Sequence, residues 1–191
     1  TSTRGSYENA LEYVETALLY GASNYKARTL KTALLRLSGD VEEAREFALS
    51  TISKDPLDMG ARYELSRING DDSWIKLMRP DDVDFIELGL YFEAAGLFEE
   101  EIDILKAGPG VSPLTFYRLY SITKDERYLE QAEVASSLYC FPNRIDDIPV
   151  LEERIRALHG GDGDALHDLV RSACGFRRLG DDLIGDRKSV V

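Results

Sequence analysis

The chain has 191 residues, 43% apolar and 30% charged, which is ordinary for a globular protein and enough to bury a substantial core as one domain or one continuous stack. Its net charge of −12 argues against a general nucleic-acid binder, which needs a basic face to displace counterions from phosphate. No apolar run approaches the roughly 20 residues of a membrane-spanning helix, so no membrane partner is expected; no secretory leader is visible, but in a chain that opens without a Met this says little, and the compartment is left open with only a weak lean to the cytoplasm.

Helical periodicity runs through the chain, and no stretch keeps the alternation of a half-buried strand. The chain opens at Thr1 inside what reads as the second helix of a pair, so the pattern predicts that both ends are truncated. Tyr7 to Tyr20 puts Ala10, Leu11, Val14, Ala17 and Leu18 on one stripe, with Gly21 and Asn24 as the break. Tyr25 to Leu37 carries Leu30, Ala33, Leu34 and Leu37 on the next stripe. Ser38-Gly39-Asp40 then predicts a tight turn, and Val41 to Ser53 packs back until Asp55-Pro56 stops it. Ala10 and Ala44 stand 34 positions apart in similar segments, each small enough to let neighbouring helices approach closely.

Asp58 is placed to cap a helix bearing Ala61, Tyr63, Leu65 and Ile68. Its partner reads as stunted, with Trp74, Ile75, Leu77 and Met78 before Arg79-Pro80. The clearest pair follows, Phe85 to Gly96 and then Leu97 to Ile102, in which Gly89 permits close contact and Gly96 supplies the turn. Glu101 stands where such a pair wants Ala, so either that helix shifts or Glu101 reaches solvent at an edge. Gly108-Pro109-Gly110 is a breaker. Leu114 to Ile122 and Glu126 to Leu138 make the next pair, Asp146 to Leu158 another helix ended by His159-Gly160-Gly161, and Ala165 to Ala173 one more. A last helix begins near Asp181. Asp186 to Val191 has no repeat logic and matches one reading frame of a common sequencing-adapter DNA, so it is excluded as an artefactual tail.

The period of about 34, with Leu88-Gly89 followed by an aromatic, the Gly96 turn and Phe98-Glu99-Glu100, resembles tetratricopeptide-repeat proteins. The likeness covers roughly residues 6 to 185. It implies an all-α fold: about ten helices in antiparallel pairs, about five repeats, stacked as one right-handed solenoid over residues 1–185. A narrower likeness lies in Asp55 to Leu65, Phe85 to Tyr91 and, most distinctively, Tyr139-Cys140-Phe141-Pro142-Asn143-Arg144-Ile145-Asp146-Asp147-Ile148-Pro149-Val150-Leu151-Glu152. These look like the C-terminal repeat region of large bacterial proteins with a domain of unknown function, in which a β-sandwich module similar to sugar-handling ones precedes a repeat tail. Pro149, the Gly160 to Gly163 stretch and Asp168 depart from that pattern.

No catalytic, cofactor or metal constellation emerges. His159 and His167 lack the i, i+4 spacing of a helical metal pair, and nothing brings Cys140 or Cys174 beside a base. The cysteines read as small buried hydrophobes. Glu99-Glu100-Glu101 and Asp181-Asp182 read as solvated helix starts. The ten tyrosines could form a stacking platform, but at helical spacing they read as wedges between helices. The resemblance leaves a concave face lined by the first helix of each repeat. There Lys26, Arg36, Arg67, Arg118 and Lys124 would make a basic-leaning groove for carboxylate-bearing peptides, unless Glu64, Glu87 and Glu93 on the same face neutralise it. The expected role is non-catalytic: a scaffold for a protein or peptide partner, or for another domain of the same parent chain. The alternative is an accessory region of a larger carbohydrate-active enzyme.

Overall fold

A computed structural model of the chain describes residues 2–135 and 147–152. Every regular element among the described residues is helical. They fall into two compact units, one within Thr1–Pro109 and one within Gly110–Val191.

The first unit is built from successive helix pairs. Helices α1 (Ser2–Tyr20) and α2 (Tyr25–Ser38) pack together, and α3 (Val41–Lys54) folds back onto α2. α4 (Met59–Asn69) then lies against both α2 and α3. The turns follow from their residues. Asn24 Oδ1 accepts the Ala27 N–H at 3.1 Å and starts α2. Gly39, at φ +95°, ends it, and the Asp40 N–H reaches back to the Leu35 carbonyl at 2.9 Å. Asp58 Oδ1 accepts the Ala61 N–H at 2.8 Å and starts α4, which Gly70 closes at φ +72°. Ala33, Ala44, Ala48 and Ala61 are fully buried along these seams. At Gly60 the approach is closer still: a Cβ there would sit 2.5 Å from Thr29 Oγ1 and 2.7 Å from its Cγ2.

The stunted partner of α4 is a 3₁₀ segment, Ser73–Leu77. It is too short to be a full helix, yet it seats Trp74 in the main aromatic cluster. Tyr63 meets Trp74 edge-on at 5.2 Å and Phe92 at 5.1 Å, and Trp74 meets Phe85 at 5.7 Å. Phe85 and Phe92 belong to α5 (Asp82–Glu93), which pairs with α6 (Phe98–Ala107). Glu101 does not reach solvent at an edge. It is 1% exposed, and the missing side chain of Gly89 leaves room for its stem, since a Cβ at Gly89 would touch Glu101 Cγ at 3.3 Å. Of the tyrosines, Tyr63 is a core wedge, whereas Tyr13, Tyr20, Tyr25 and Tyr91 are exposed.

In the second unit α7 (Pro113–Thr123) packs on α8 (Arg127–Val134). Ser112 caps α7 through the Leu114 N–H, with Pro113 in its first turn. α8 ends four residues earlier than its periodicity suggests: Ala135 is extended, at ψ 150°. Residues 147–152 are helical and include Pro149. The expected elements at Ala165 to Ala173 and from Asp181, and the tail from Asp186, lie outside the described residues.

Candidate functional site

Two adjoining clefts open on the first unit. One, of about 360 Å³, lies between the start of α2, the turn before α4, and α5. The other, of about 400 Å³, lies between α1, α2 and the end of α5. Lys26, Thr29 and Tyr91 line both. On this shared ridge the Lys26 ammonium sits 4.5 Å from the centre of the Tyr91 ring, a cation–π contact between α2 and α5.

The clefts differ in chemistry. The larger is walled mostly by apolar groups, among them Val14, Ala17, Ala27, Leu30 and Leu90. The smaller carries four carboxylates, Asp55, Asp58, Asp84 and Glu87, against the single ammonium of Lys26. Burial pushes the Asp58 carboxyl above its ordinary value, against the pull of the Ala61 N–H. Asp84 is held below its ordinary value by the Arg79 guanidinium, whose Nε donates to it at 2.8 Å.

Of the five cations expected to line a groove, Lys26 stands at these clefts. Arg36 is turned inward: its Nε donates to Glu64 Oε2 at 2.7 Å and its Nη2 to Glu100 Oε1 at 2.8 Å, which ties α2, α4 and α6 together. Burial opposes the Arg36 charge, but the Glu64 and Glu100 carboxylates outweigh it and raise its pKa; burial likewise pushes Glu64 up. Arg67 donates to Asp103 Oδ2 at 3.2 Å, an oxygen that also accepts from the Tyr63 hydroxyl at 3.1 Å. Arg118 and Lys124 belong to the second unit. Arg118 is buried and donates to Asp147 at 2.7 Å. Lys124 closes α7 at φ +57°, and its ammonium donates to the Ser121 carbonyl at 2.7 Å. Of the acids expected to oppose them, Glu64 is spent on Arg36, and Glu87 lines the smaller cleft.

The acidic cleft was not legible as a site. Asp55 and Asp58 read as a stop and a cap, which they are: Asp55 Oδ1 accepts from the Leu57 N–H and Asp58 Oδ1 from the Ala61 N–H. Only the fold brings these acids opposite the first turns of α5.

Among the described residues no three His, Cys, Asp or Glu side chains gather as a metal site, and no helix is long and apolar enough to cross a membrane. Cys140, Cys174, His159 and His167 lie outside the described residues. No protein-family model, curated protein or solved structure matches this chain.

Proposed function

We propose that this chain is a non-catalytic scaffold of tetratricopeptide-repeat type, a right-handed stack of helix pairs whose clefts take a protein or peptide partner. The observation that carries the reading is a repeated cap. Asn24 and Asp58 stand 34 positions apart, and each starts a helix by accepting the N–H three residues on. The helices they start, α2 and α4, pack side by side, as the first helices of consecutive repeats do. Each pair covers its apolar stripe with the next, and the clefts border that first-helix row.

The test is panning a random-peptide display library against the whole chain, followed by hydrogen exchange with the enriched peptides. Enrichment with slowed exchange in α2 and α5 supports the reading. Turnover of a small-molecule substrate, or no enriched peptide, sinks it.

The Tyr139 to Glu152 segment favours a second reading, an accessory repeat region of a larger carbohydrate-active protein. The gene upstream of Thr1 decides it. A β-sandwich module with clustered carboxylates supports it, and further helical repeats alone oppose it.

A further inference from the structure

We propose that the two clefts together take a peptide segment carrying an apolar side chain next to a lysine or arginine. The apolar group enters the cleft between α1, α2 and α5, and the cation enters the acidic cleft beside it. This rests on the scaffold reading and gives its partner a chemistry opposite to that of a basic groove.

The volumes, about 360 and 400 Å³, each exceed the roughly 300 Å³ at which ligand sites begin. The clefts share a wall, so adjacent side chains of one peptide reach both. The apolar cleft supplies area to bury, and it is open, with Ala94 and Ala95 exposed on its rim. The acidic cleft supplies charge complementarity: four carboxylates stand against the Lys26 ammonium and the Arg79 guanidinium that pairs with Asp84, on a chain of net charge −12.

Two details mark where the cation goes. The Tyr91 ring, 40% exposed on the shared ridge, already holds an ammonium, that of Lys26. Lys26 is exposed on a flexible stem and can yield that face to a guanidinium, which stacks on aromatic rings better than an ammonium does. Asp58, 8% exposed, lines the same cleft, and its buried Oδ2 has no hydrogen-bond partner. No three of these acids gather as a metal site, which fits an organic cation rather than a metal ion.

The experiment is fluorescence anisotropy of the whole chain with three dye-labelled, end-blocked peptides. Their centres are Leu-Phe-Arg-Lys, Leu-Phe-Glu-Glu and Ser-Ser-Arg-Lys. The first is expected to bind at least about tenfold more tightly than either control, and more weakly as salt rises. Glu87→Lys, an exposed charge reversal, is expected to weaken it about three- to tenfold. Asp58→Asn keeps a helix cap of equal quality while removing the charge, and is expected to weaken it as well. Ala94→Trp fills the apolar cleft and is expected to abolish binding, with the helical circular dichroism of all three variants unchanged. Equal binding of the basic and acidic peptides, or binding that ignores all three variants, overturns the proposal. If the display library yields acidic binders that map to α2 and α5, this assignment falls while the scaffold reading survives. A chain that binds no peptide at all sinks both.

Discussion

Arg36 holds two carboxylates from two other helices, and Glu64, fully buried, has no water to fall back on. Arg36→Met should therefore cost about 3 kcal/mol, most of it the penalty of a buried charge left unpaired, measurable as a lowered urea midpoint. The sign of its pH dependence follows from Glu64. Burial raises its carboxyl above the ordinary 4.5. A group raised on folding lends stability below its unfolded pKa and loses it as pH rises through the folded one. Without Arg36 that rise is larger, so the deficit of the variant should be greatest near neutral pH and shrink as acid protonates Glu64. Tyr63 behaves likewise at the alkaline end. Burial and then the Asp103 charge push its hydroxyl far above the ordinary 10.0. The wild-type chain should lose stability as pH climbs past about 10, where unfolded tyrosine ionises, and Tyr63→Phe should flatten that loss in denaturation measured across the range. At this scale sequence reasoning was weakest. Glu64 and Arg36 could each be assigned to one face of a helix, but nothing in the spacing tells an inward ion pair from an outward groove.

The helices themselves were legible because their ends carry strong punctuation. Asn24, Gly39, Asp58 and Gly70 bracket α2 and α4, and the expected bounds of α2 and α3 fall within a residue of those observed. Asn24→Ala and Asp58→Ala should each cost about 1 kcal/mol, and Gly39→Ala about as much through its left-handed backbone, all read from denaturant midpoints. The 3₁₀ segment and the early end of α8 were less legible. Trp74 earns its seat by packing on Tyr63 and Phe85 rather than by helix propensity, and such tertiary choices leave little local trace.

The first unit has its own aromatic core, three-helix ion network and clefts, the features of a part that folds alone. Residues 1–109, expressed alone, should unfold in urea in a single transition. Fluorescence of Trp74, the one tryptophan of the chain and a buried one, should coincide with loss of helical circular dichroism. Two separated transitions would show that this part is not one cooperative body. The clefts belong to this scale too. Their walls draw on residues from Tyr13 to Ala95, so no window of sequence as long as a repeat contains them. The irregular spacing has the same effect: α2 and α4 start 34 positions apart, whereas α4 and α5 start only 23 apart.

The seam at Gly60 binds two distant positions to a common fate. Thr29 occupies the space that any side chain at 60 would need, so in related chains the two positions should change together. An alanine at 60 should arrive with serine or glycine at 29, and a larger residue at 29 should be found only over glycine. The chain itself offers the trial. Gly60→Ala should destabilise by about 1–3 kcal/mol, and adding Thr29→Gly should restore part of what was lost, a compensation that two independent sites would not show.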